Sequence, residues 1–416
     1  MGRWIAAVLA LPLSAQNLAD FEKRVSTFTL DNGLQFVVME RRDAPVVSFH
    51  TYVKSGSAQD PPGKAGMAHL TGRVALKGTP AIGSKDWERE KAALSAVEEA
   101  WAALDAERSK PDASASQIVV LEGRLKSAVT RAQMHAQPDE FTRLLEENGG
   151  TGPNTATGVE ATEFSWSLPA NRIELWFLME SERLLRPVFR DFFKERDAVR
   201  QEHEQRTGSN PQVRLIEALQ MAAFTTHPYR RSSGGSGEEI ARLGAADAEA
   251  YFRAHYTPAN LVMAIVGDVD PPEVKRLAAK YFARLPKTQP PRPVSAAEPE
   301  QTAERRVPVE SPSQPLLYLA FKRPDQFHKD DIVFDVIGTI LAGGPAARLY
   351  RSLVNERRVA FTVGGAPTHP AGGAPCLFVL FAAPRPDAAP RRASRPSTRS
   401  WSDSRPSPSV TPNCRT

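Results

Sequence analysis

At 416 residues with 41% hydrophobic content, the chain is long enough for two domains with cores of their own and is not a disordered protein. Its formal charge of +5 is carried by its end, since residues 385–416 hold seven Arg, two Asp and no Lys. The body is therefore neutral, so a basic partner-binding face has no support beyond that tail.

The opening segment, MGRWIAAVLALPLSA, puts one Arg before a short apolar run and then small residues. That is the layout of a secretory signal peptide over residues 1–15, too short to span a bilayer; a buried N-terminal strand or helix is the alternative. No other stretch approaches transmembrane length, so the expectation is an exported, periplasmic or extracellular protein with no stable membrane span and no nucleic-acid partner. Cys376 and Cys414 could pair in an oxidising compartment, yet the second lies in the Arg-rich tail, and no structural disulfide is expected.

The runs STFTLDNGLQFVVMER and VVSFHTYVKSGS, rich in β-branched and aromatic residues around the turn Asp31-Asn32-Gly33, read as an opening antiparallel pair of strands. A helix through GMAHLTGRVALKGT follows. Two long segments with helical spacing, split by Lys110-Pro111-Asp112, predict a helical hairpin over about 87–134 that projects from the domain and is structural rather than a partner-binding coiled coil. Next come a strand pair in GGTGPNTATGVEATEFSWSLP, helices through NRIELWFLMESERLL and FKERDAVRQEHEQRT, then a helix and buried strand ending at Gly267-Asp268, and a closing helix PPEVKRLAAKYFARL. Without a strict strand–helix–strand rhythm, the expected fold class is α+β, helices packed on a mostly antiparallel sheet.

Residues 286–304 are Pro-rich and read as a linker. A second unit restarts with the strand QPLLYLAFKRP, helices DDIVFDVIGTILAG and ARLYRSLVNERR, and the strand CLFVLFAAP, then stops near residue 384. The tail, 385–416, has twenty Arg, Pro or Ser among its residues and no apolar periodicity, so disorder is expected. Its abrupt start resembles translation in a shifted frame; a natural disordered tail is the alternative.

On a helix, positions i, i+3 and i+4 share a face, so two His at i and i+4 can clamp a metal while a Glu at i+3 reaches its bound water, as in H-x-x-E-H. In this chain position i is His69, position i+3 is Gly72 and position i+4 is Arg73. The stretch PPGKAGMAHLTGRVALKGTPAIGSKD, with NTATGVEATEFSWSLP, ERDAVRQE, HPY, FRAHYTPANLVMAIVGDVD and ARLYRSLVNERRVAFTV in order, resembles the M16 zinc metallopeptidases. These are the insulinase or pitrilysin group, here the bacterial two-domain form related to mitochondrial processing peptidase. The resemblance implies an M16-like domain over 22–285 and a truncated second copy over 305–384.

Carried over residue by residue, the resemblance makes His69 and Glu202 remnant metal ligands and Glu195 a supporting carboxylate behind the metal shell. Asn154, Thr155 and Ala156 would lie on the edge strand against which an extended peptide or small protein substrate pairs. Gly72 stands where the general-base Glu belongs, and Arg73 where the second His ligand belongs. Arg is a permanent cation without a lone pair, and glycine has no carboxylate to take a proton. Zinc, the family's cofactor, is thus expected to be absent or weakly bound, with Arg73 pairing with Glu202 or Glu195. His203, next to Glu202, points ~100° away and is not expected to substitute; His50 and His227 read as structural. Three functional readings follow. The chain is a non-catalytic partner of a second, active M16 subunit, a decayed coding sequence, or an active zinc endopeptidase with a rearranged site.

Overall fold

The computed structural model describes residues 22–311 and 313–385; the signal-peptide reading, Cys414 and all but the first residue of the tail lie outside them. Chain order begins with strands β1 (Val25–Thr29), β2 (Gln35–Glu40) and β3 (Val46–Val53), followed by helix α1 (Met67–Val74). The long helices α2 (Trp87–Arg108) and α3 (Ala115–His135) come next, then α4 (Glu140–Glu147), β4 (Thr151–Thr157) and β5 (Thr162–Pro169). Helices α5 (Ile173–Leu185), α6 (Phe192–Ser209), α7 (Pro211–Ala223), α8 (Gly237–Ala241) and α9 (Ala245–His255) lead to strand β6 (Leu261–Gly267) and helix α10 (Pro271–Phe282).

The first sheet has the order β1-β2-β6-β3-β5-β4. The opening segment therefore differs from the sequence expectation. Its first run closes on itself as the β1–β2 hairpin around Asp31-Asn32-Gly33, and β3 lies beyond β6 instead of pairing with β2. Asn32 explains why the turn seats where it does: its amide donates to the Phe282 and Leu285 carbonyls at 2.8 and 3.2 Å, tying the hairpin to the end of α10. Gly33, at φ 94°, leaves room for Ala259 to approach.

Period-2 alternation gives this sheet one apolar face, from Phe36 and Val38 through Val47, Phe49 and Val53 to Phe164, Trp166, Leu168, Met263 and Ile265. It packs on α5 and α10, with the Phe49 and Trp176 rings stacked 4.4 Å apart. The opposite face carries exposed or half-buried residues such as Ser48, His50, Glu163 and Ser165. The α2–α3 hairpin forms as expected but does not stand clear of the body. Its apolar stripe needs burial, so Trp101 packs 5.2 Å from Phe193 and under the Arg196 guanidinium of α6.

Between Phe282 and Leu317 no helix or strand forms among the described residues. The second sheet then has order β7-β9-β8, from β7 (Leu317–Arg323), β8 (Ala360–His369) and β9 (Cys376–Pro384). Helix α11 (Asp331–Ala342) and the segment from α12 (Arg348–Tyr350) into a wider turn over Arg351–Glu356 cover one face with Phe334, Leu341, Leu349 and Leu353. The other face meets Leu219, Ala223, Phe224 and Tyr229 of the first unit through Tyr318, Leu377 and Val379. A central strand covered on both faces reads as an unbroken apolar run, which is what CLFVLFAAP is.

Candidate active site and its replaced residues

Helix α1 starts at Gly66, whose left-handed backbone (φ 94°) turns the chain into it. The Asp60 carboxylate, 3% exposed, accepts hydrogen bonds from the Gly66 and Ala68 amides at 2.7 Å each and so anchors the helix start. Burial pushes this carboxyl up to about 7, against the lowering effect of the two amides. A raised folded-state value means a contribution that is full below the ordinary 3.8 and is lost as pH rises through about 7. Chemical unfolding across that window should therefore show wild type losing stability relative to Asp60→Asn. A constant difference between the two at every pH would contradict the assignment.

Six residues of α1 are buried, among them Leu70, Thr71, Gly72 and Val74, whereas His69 and Arg73 are half-buried. They share a face because they are four apart. Position 72 faces the edge of the sheet: a Cβ there would lie 3.0 Å from Thr157 Oγ1, 3.2 Å from Thr162 Cγ2 and 3.6 Å from Thr155 Cγ2. The Thr157 hydroxyl is buried without a hydrogen-bond partner among the described residues. Strand β4 is the outer strand of the sheet, and Asn154 and Ala156 are exposed on it while Thr155 turns half-buried toward α1. Pro153 within β4 and the irregular register between Thr151 and Asn154 suit an edge position, where a missing amide breaks no ladder.

Glu195 and Glu202 both lie on α6, two turns apart on one face. Arg73 bridges them. Its Nε donates to Glu195 Oε2 at 2.9 Å, and its Nη1 donates to both Glu202 oxygens at 2.8 and 2.9 Å. Lys77 completes the cluster, 2.9 Å from Glu195 Oε1 and 3.3 Å from Asp139 Oδ1. Burial works against ionisation of Glu195, yet Lys77 and Arg73 hold its carboxyl below the ordinary range. For Arg73, burial is outweighed by the Glu202 and Glu195 carboxylates, which keep the guanidinium charged. Burial lowers the His69 pKa, and the Arg73 charge lowers it further against the opposing pull of Glu202, so the imidazole is neutral at pH 7.

The structure thus gathers His69, Gly72, Arg73, Glu195 and Glu202 in one place, with Asn154, Thr155 and Ala156 alongside. His203 is separate, its Nδ1 buried without a partner among the described residues. His227 is buried with Nδ1 accepting from the Tyr229 amide, and His50 is exposed on the open sheet face. Sequence reasoning missed Lys77 and Asp60. Lys77 lies past the end of α1, so helical spacing from Arg73 did not announce that it reaches the same carboxylate. Asp60, six residues before Gly66, carried no periodic signal.

These residues do not fit a zinc ion. A zinc site of this type takes three protein donors. Here the Glu202 carboxylate is engaged at both oxygens by a guanidinium that itself fills the third position. Among the described residues no group of three or more His, Cys, Asp or Glu is placed to hold a metal.

Residues 242–393 match the family model described as the Peptidase M16 inactive domain. The zinc protease PqqE of Helicobacter pylori is 24% identical over 86% of this chain and 70% of its own length. Subunit 1 of the mitochondrial cytochrome b-c1 complex of Bos taurus is 27% identical over 36% of this chain and 31% of its own. A crystal structure of a protease from Helicobacter pylori superposes with a TM-score of 0.71 at 20% identity, covering 90% of this chain and 78% of that one. Fold, motif order and relatives thus support membership of the M16 metallopeptidase family, residues 242–393 being the part that its inactive-domain model matches.

Proposed function

We propose that this chain is a non-hydrolytic M16 subunit: it holds extended peptide on the edge of its first sheet and works beside a second, active M16 subunit that carries out cleavage. One observation supports the reading above others. The Arg73 guanidinium is seated on Glu202 and Glu195, so the place where a metal and its water would act is filled by a cation that can do neither job. Its scaffold persists around that change, including the exposed outer strand with Asn154 and Ala156. Backbone pairing at such an edge gives affinity with little demand on sequence. Two further points belong to this reading. The bovine relative is by name a subunit of a larger complex, and export rests on the signal-like residues 1–15, with no helix among the described residues long and apolar enough to cross a membrane.

The test has two arms. Unstructured peptides should bind this chain with no change on adding a chelator, and Pro placed singly at 154, 155 and 156 should weaken binding at whichever position turns its amide outward. Co-expression with an M16 partner carrying intact H-x-x-E-H should give cleavage that neither chain gives alone. Absence of peptide binding, or full activity of the partner by itself, would overturn the proposal.

A further inference from the structure

Residues Phe224 to Tyr229 form the turn after α7, and its three successive amides converge on a group supplied from far along the chain. Glu298, in the segment without helix or strand, accepts from the Thr225, Thr226 and His227 amides at 2.7, 2.9 and 2.9 Å. The Thr225 hydroxyl adds a bond at 2.8 Å, while the Thr226 hydroxyl donates to the neighbouring Ala297 carbonyl at 2.7 Å and so ties the linker to the same turn. The donors precede the short helical turn Pro228–Arg230, so they form a backbone nest rather than a helix start. Burial resists ionisation of Glu298, but the three amides hold its carboxyl at about 2.

The same turn takes part in several of the contacts that join the two sheets. Phe224 lies under the Lys322 ammonium of β7, 3.8 Å from the ring centroid. Tyr229 donates its hydroxyl to Glu160, in the turn between β4 and β5, and Glu160 accepts from the Gly373 amide of the second unit at 3.0 Å. The Ala374 amide donates to the Tyr229 oxygen at 3.2 Å. Beyond the linker, the stretch leading to β7 is held by thinner ties, such as Arg305 Nη1 to the Ala222 carbonyl at 2.7 Å.

We infer that Thr225, Thr226 and His227 form a carboxylate-binding site, filled in the resting chain by Glu298, which latches the linker and with it the second sheet onto the first unit. The site is open at the surface, since Thr225 and Thr226 are exposed. A free carboxylate can therefore take the place of Glu298 when that side chain is absent. The nest recognises the two-oxygen anion and not merely negative charge, because the Thr225 amide and hydroxyl take one oxygen and the Thr226 and His227 amides the other.

Full-length Glu298→Ala and Glu298→Gln, compared with wild type by hydrogen exchange and limited proteolysis, test this. In both variants the amides of Thr225, Thr226 and His227 should exchange at least ~tenfold faster, the factor one hydrogen bond to an ionised group is worth. Cleavage within 286–304 should rise in parallel. Sodium acetate should restore protection in Glu298→Ala, while sodium chloride at equal ionic strength should not. Unchanged exchange in both variants, or restoration by chloride and acetate alike, overturns the site; so does faster exchange that acetate leaves unrestored. The Gln variant keeps the side-chain shape, so the exchange readout survives if the Ala variant folds poorly.

Discussion

Restoring the lost pair, Gly72→Glu with Arg73→His, is expected to give a chain that retains stoichiometric zinc through dialysis, where the unmodified chain is expected to retain none. Magnitudes make the case. A dication ~4 Å from the Arg73 charge is repelled by ~8 kcal/mol at an effective dielectric of ~20. Structural zinc sites bind with roughly 10–16 kcal/mol, so a missing donor and this repulsion together remove most of what holds the metal. The single change Arg73→His supplies the third donor and removes the charge, and should bind zinc while remaining slow. Adding Gly72→Glu should raise peptide hydrolysis a further ~10²–10⁴-fold, the usual worth of a positioned general base.

Space for that glutamate is tight, since a Cβ at 72 would lie 3.2 Å from the Thr162 methyl, whose hydroxyl is held on the Ser55 carbonyl, and α1 must shift by a few tenths of an ångström to admit it. A Cβ at 72 meets Thr157 Oγ1 at 3.0 Å, and that hydroxyl is bound to nothing among the described residues, so it is free to rotate aside. Metal content by atomic emission and hydrolysis of a quenched peptide separate the two contributions. Stoichiometric, tightly held zinc in the unmodified protein would refute the argument at its root.

The site was legible in the sequence because its spacing is local. Residues 69, 72 and 73 are one turn apart, and 195 and 202 are two turns apart, so helical geometry fixes which of them share a face. That α1 and α6 face each other was available only through the family resemblance, and Arg73 bridging two carboxylates follows from it. Sheet order was harder. Strand β2 pairs in parallel with β6, more than two hundred residues later, and nothing in either strand names its neighbour. Helix α7 went unread although Asn210-Pro211 is a start signal, the Asn210 side chain accepting from the Gln212 amide at 3.0 Å. Strand β8 was not recognised as a strand because Gly364, Gly365 and Pro367 interrupt it, and its register against β9 slips at both ends. The Glu298 latch has no sequence signature at all, since a lone Glu in a Pro-rich linker looks like any solvated charge.

Arg73→Ala is expected to cost about 2 kcal/mol of stability, a figure between an exposed pair and a fully buried one. Glu195 is the reason. Its side chain is only 12% exposed, so losing one of its two cations leaves a carboxylate that water solvates poorly. Glu202, 55% exposed, contributes little because solvent replaces the guanidinium. Arg73→Lys should recover only part of the loss, since an ammonium cannot reach both carboxylates with the fork that Arg73 uses. The pH profile distinguishes this from a packing defect. A carboxylate held below its ordinary 4.5 contributes stability that is present above that value and is lost as pH falls through the lower folded-state value. Wild type should therefore lose stability in that acid window more steeply than Arg73→Ala, the two converging at low pH. Parallel profiles would mean that the guanidinium is a spectator and that its bridge from α1 to the α6 carboxylates adds nothing to stability.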